Sequence, residues 1–93
     1  MEIYVVEFFV KDDKGFIRKP LAYFEKNEAI KVAREFASKR AIGRRGGTLD
    51  VLINHSIGYE MSFVISYKTW YNDKPIIDNR REVCRVVAAD FVD

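Results

Sequence analysis

Residues 28–42 of this 93-residue chain repeat their apolar side chains at helical spacing more clearly than any other stretch, whereas most of the other patterned segments alternate, and that asymmetry limits the fold more than any other feature. Ala29, Ile30, Ala33, Phe36, Ala37 and Ala41 recur on one face of residues 28–42. Glu28, Lys31, Arg34, Glu35, Ser38 and Lys39 cover the other, with Glu35 and Lys39 in the order that favours an i,i+4 ion pair. The alanines on the apolar face suit close approach to a sheet. Asn27 is expected to cap the helix, and Gly43 to end it as a left-handed residue.

Around this helix the chain reads as strands. Residues 3–10 are β-branched and aromatic with only Glu7 charged, and both faces are largely apolar, which predicts an interior strand. Asp12-Asp13-Lys14-Gly15 is turn chemistry. Residues 16–24 return as a second strand, which Pro20 confines to an edge or interrupts. Leu49, Val51 and Ile53 alternate with Thr48, Asp50 and Asn54 in a half-buried strand, and residues 55–58 turn the chain. Residues 61–71 are expected to be the longest strand, followed by a turn at Asn72-Asp73-Lys74-Pro75. At the C-terminus the valines with Cys84 and Phe91 predict a strand over 82–92; a helix over 79–92, with Val83, Val86, Val87 and Phe91 on one face, is the alternative. The expected fold is a small single α+β domain, mainly an antiparallel sheet packed against one helix, in the order β-β-α-β-β-β. Such a sheet keeps one face without a covering layer.

Composition sets the outer limits. With 48% hydrophobic and 14% aromatic residues, the chain has the apolar surface that a disordered protein lacks. Its apolar runs are far short of the roughly 20 residues that a membrane helix needs. The N-terminus, Met1-Glu2-Ile3-Tyr4, has no basic flank and no signal-peptide pattern. One cysteine, Cys84, and one histidine, His55, offer neither an internal disulfide nor a metal set, so a reducing, cytoplasmic setting without cofactor or metal is expected. A domain this small buries roughly 60–65% of the surface of its unfolded chain, and dimerisation is one common remedy.

Few residues carry chemistry. His55 and Ser56 are neighbours on a turn, where side chains point apart, so no Ser–His pair and no catalytic residue is expected. Asp12 and Asp13 lack the spacing of a calcium loop. Gly46-Gly47 follows a helix and precedes a strand, the reverse of a phosphate-cradling loop. Cys84, among valines, is expected to be a buried structural thiol.

Charge is more telling. Residues 1–38 hold seven bases and seven acids, and residues 48–93 five bases and seven acids. Between them Lys39, Arg40, Arg44 and Arg45 stand without an acid, so the positive excess sits in this one stretch. It fits a solvated helix end complementing the dipole, a phosphate-binding surface, or a dock for an acidic protein. Tyr67, Trp70 and Tyr71 would supply stacking faces for the second of these. Trp70 falls by strand parity on a mixed face with Ser62, Ser66 and Lys68, as a lid on the core's edge or an interface anchor. The candidate binding residues are therefore Lys39, Arg40, Arg44, Arg45 and Trp70.

The expected function is a non-enzymatic protein-binding module, an inhibitor, adaptor or regulator. A nucleic-acid binder using residues 39–45 is the alternative, and a homodimer is open in either case. Gly58-Tyr59-Glu60-Met61-Ser62-Phe63-Val64 resembles the beginning of a strand in small mRNA-cleaving bacterial toxins. That resemblance implies a ribonuclease site of Arg, Lys and Tyr; it spans under a tenth of the chain, and one early helix stands where those toxins usually have two. In overall character the chain is similar to small proteins of phages and other mobile elements, which implies binding to a host protein.

Overall fold

Apolar alternation in the strands and the alanine face of the helix together build a two-layer domain. The computed structural model describes residues 1–43, 47–55 and 59–90. Its elements are β1 (Glu2–Phe8), β2 (Leu21–Tyr23), α1 (Lys26–Ile42), β3 (Thr48–Asn54), β4 (Glu60–Tyr71) and β5 (Lys74–Asp90). The strands form one five-stranded sheet in the order β2-β1-β5-β4-β3, with every neighbouring pair antiparallel. The α+β class and the order β-β-α-β-β-β are as expected, and β1 is interior.

The core lies between α1 and the middle of the sheet. Val6 and Phe8 of β1 stand opposite Val86 and Cys84 of β5, which in turn oppose Met61 and Phe63 of β4. All six side chains are buried, and α1 lays Ala29, Ala33, Phe36 and Ala37 across them. The alanines bring the backbones close enough for the Cys84 thiol to donate to the Ala33 carbonyl at 3.4 Å. Phe36 meets Phe8 edge-on, with ring centroids 4.8 Å apart. A shift in register between Phe63↔Cys84 and Val64↔Glu82 leaves Val83 without a partner on β4. Strict alternation would turn Val83 and Cys84 to opposite faces; this bulge lets both enter the same core.

Several expectations are corrected. The C-terminal segment is a strand and not a second helix, and it begins at Lys74 rather than near 82, which makes β5 and not β4 the longest element of the sheet. Pairing to β4 outweighs the poor strand propensity of Asp78-Asn79-Arg80-Arg81-Glu82. The intervening turn is only Asn72-Asp73, both at positive φ (49° and 61°), the tight hairpin geometry for which Asn and Asp are favoured; Pro75 already lies in β5. The second strand shrinks from residues 16–24 to Leu21–Tyr23, after Pro20, with one isolated bridge from Lys11 to Ile17. Asn27 lies inside α1, whose N-cap is Glu25 without a side-chain cap bond. Gly43 is right-handed (φ −73°) and satisfies the helix end by donating its N–H to the Lys39 carbonyl at 3.2 Å.

The face away from α1 has no second layer among the described residues. Arg85 organises its centre, with Glu60 at 3.2 Å, Glu7 at 3.7 Å, Glu82 at 3.9 Å and the guanidinium 4.8 Å from the Phe9 ring.

Candidate functional site

β4 and β5 outrun their neighbours. β3 leaves β4 at the Thr48↔Ser66 pair, and β1 leaves β5 just past Phe8↔Cys84, where the Phe9 N–H donates to the Val83 carbonyl at 2.9 Å. Beyond that line the two strands continue as a ribbon to the Asn72-Asp73 turn. α1 stops at Ile42, so the base of the ribbon is left uncovered on the helix side. A cleft of about 580 Å³ opens there.

Its apolar lining is Phe9, Val10, Ile17, Ile65, Tyr67 and Val83; Phe9 and Val10 follow the end of β1, Ile65 and Tyr67 belong to β4, and Val83 is the bulged residue of β5. Its polar wall is lopsided in charge. The last helical turn contributes Lys39 and Arg40, the segment after β1 contributes Lys11 and Asp13, and β5 contributes Arg81. Four cations thus share the cleft with one carboxylate. None of the four makes a salt bridge among the described residues.

Arg40 differs from the other three in its burial. Its side chain is half-buried, with the guanidinium 5.4 Å from the Phe36 ring centre. One of its terminal nitrogens, Nη2, is buried without a hydrogen-bond partner among the described residues. A buried donor left unpaired costs on the order of 1–3 kcal/mol, more when charged. The apolar surface open beside these cations includes Ile17, 60% exposed, and the half-buried Tyr67, while Val10, Ile65 and Val83 belong to the buried core.

The structure brings together Lys39 and Arg40 but not the rest of the predicted set. Trp70 pairs with Pro75 on β5 and, by alternation from Ile65 and Tyr67, faces away from the cleft on the ribbon's other side. Arg44 and Arg45 lie outside the described residues, as do Gly46 and Ser56. Sequence reasoning missed Lys11 and Arg81. Lys11 is hidden by the adjoining Asp12-Asp13, and Arg81 sits in a segment without strand signal, so only the hairpin pairing Ile65↔Arg81 reveals where it stands.

Other chemistry-bearing groups have structural work. The Asp12 carboxylate accepts N–H bonds from Lys14 at 2.9 Å and Phe16 at 3.0 Å, closing the turn in which Gly15 takes φ 86°. The bond from Phe16, then that from Lys14, outweigh desolvation, and with Arg18 nearby they hold its carboxyl below the usual carboxylate range. Burial, helped by Glu82, pushes the Cys84 thiol up to about 12, so it stays protonated and a poor nucleophile at neutral pH. His55 is exposed, its ring 5.8 Å from that of Tyr59. Among the described residues no group of three or more His, Cys, Asp or Glu is placed to hold a metal ion, and no helix is long and apolar enough to cross a membrane.

Comparisons with protein-family models, with curated proteins and with solved structures give no match, so the cleft has to be understood from its own geometry.

Proposed function

We propose that this chain is a non-enzymatic protein-binding module, an inhibitor, adaptor or regulator of cytoplasmic and phage-like type, that takes an acidic segment of its partner into the cleft beyond the end of α1. The single observation that carries this reading is a cleft in which Lys11, Lys39, Arg40 and Arg81 face one carboxylate and, among the described residues, make no salt bridge. Cations beside Ile17 and Tyr67 suit a peptide that presents a carboxylate next to an apolar side chain. The cleft concentrates its charge locally, whereas a nucleic-acid surface needs a basic stripe that follows the backbone. Here the opposite face of the sheet carries Glu7, Glu60 and Glu82 around Arg85, and the net charge is only +2.

A nucleic acid is the second reading, favoured by Tyr67 in the lining of the same cleft as Arg81, where a base would find a stacking face beside a phosphate-binding group. Capture from source lysate separates the two. With the native chain as bait, a protein partner is expected to be retained after nuclease treatment, and the Arg40→Glu, Arg81→Glu double variant is expected to lose it. Retention that vanishes with nuclease supports the nucleic-acid reading instead.

A further inference from the structure

The two edges of the sheet differ in how they are guarded. β2 is three residues long and follows Pro20. β3 spans seven residues, Thr48–Asn54, with no Pro, Lys or Arg and no bulge in its register with β4. It is the last strand of the sheet, and among the described residues no strand pairs with its outer side. Its side chains are as unguarded as its backbone: Leu52 is 49% exposed and Ile53 54%, and being adjacent they point to opposite faces. The one charge, Asp50, accepts a hydrogen bond from the Ser66 hydroxyl at 3.2 Å.

We infer that β3 is a dimerisation edge, to which a second copy of this chain adds its own β3 antiparallel, five strands from each copy making a continuous ten-stranded sheet. A two-fold axis normal to the sheet keeps both helices on the same face. Centred on Val51, the pairing uses the whole strand: Val51 stands opposite the second copy's Val51, Leu49 opposite Ile53, Asp50 opposite Leu52 and Thr48 opposite Asn54. Centring on Asp50 would set two carboxylates face to face, and centring on Leu52 would leave Thr48 and Leu49 without strand partners. In the favoured register the two Asp50 carboxylates lie on the diagonal, roughly 7–8 Å apart, each bonded within its own chain. On the helix side Leu49 and Val51 already pack against the core, so Leu49, Val51 and Ile53 of both copies join into one apolar strip that extends it. This self-complementary register, with no like charges opposed, is what selects a second copy over an unrelated strand.

Two measurements test this, independently of the cleft. The native chain is expected to sediment as a dimer, twice its 10.9 kDa, across the micromolar range. Leu52→Glu, which sets a carboxylate directly opposite Asp50 of the second copy at an exposed position, is expected to halve the mass while keeping the far-ultraviolet dichroism of the native fold. A monomeric native chain, or a Leu52→Glu variant that stays dimeric, overturns the proposal. Geometry is read by thiol cross-linking, because the native Cys84 is buried. Leu52→Cys with a short bismaleimide is expected to give a covalent dimer, and Ile76→Cys, out on the ribbon, is not. Equal yields at the two positions, or none at position 52, also overturn it.

Discussion

The same two strands, β4 and β5, run through two unlike regions. Under α1 they contribute Met61, Phe63, Ile65, Cys84 and Val86, all buried. Past the helix they carry Lys68, Thr69, Tyr71, Lys74, Asp78 and Arg80, all exposed. The two strands are paired on both sides of the Val83 bulge, so hydrogen bonding does not distinguish the regions; cover by the helix does. A two-stranded ribbon without a covering layer contributes little stability of its own. Its side chains are correspondingly free to be chosen for contact, and the cleft lies where the two regions meet.

The contrast breaks most visibly in stability. Phe63 is wholly buried in the covered region, and Phe63→Ala is expected to lower unfolding free energy by about 3–5 kcal/mol. Tyr71→Ala, at a site 67% exposed on the ribbon, is expected to change it by no more than about 0.5 kcal/mol. Comparable losses in urea unfolding would dissolve the distinction between the regions.

Alkaline titration sharpens it next. The Cys84 thiol stays protonated in the folded chain up to about 12, whereas in the unfolded chain it ionises near its ordinary value of 9.0. Between those values the unfolded state holds fewer protons, so stability falls as pH rises through this window, by up to about 1.4 kcal/mol per pH unit. Cys84→Ala is expected to remove that slope between pH 9 and pH 10, the ordinary value above which Tyr59, raised by burial, adds its own. The thiol of the native chain should meanwhile resist alkylation at pH 8 until denaturant is added. Rapid labelling of the folded chain would put Cys84 outside the core.

The smallest expected effect on stability belongs to the boundary itself. Arg40→Met keeps the apolar stem over Phe36 and removes the unpaired Nη2, so the melting temperature should stay level or rise. A clear fall would mean that the guanidinium serves the fold rather than a ligand.

Much of the covered region was legible in sequence. The helix face Ala29, Ala33, Phe36, Ala37 and the alternation of Val6 with Phe8 and of Met61 with Phe63 name the core directly, because each is a local periodicity. The ribbon was not, since residues 74–81 owe their strand to pairing across a two-residue turn, and Pro75 with Asp78-Asn79 reads as loop chemistry. Half of the cleft followed the same division. Lys39 and Arg40 stood out as bases without acids, but Lys11 and Arg81 join them only through contacts between segments far apart in the chain. Trp70 stood out as the lone tryptophan, but it is not among the residues that line the cleft.

The central claim is that the cations around the cleft exist for a partner. Its most direct test is the affinity of the captured partner for the native chain and for the Arg40→Glu, Arg81→Glu variant, with melting temperatures measured on the same samples. The account predicts loss of binding with a nearly unchanged melting temperature. Native affinity in the folded variant would contradict it.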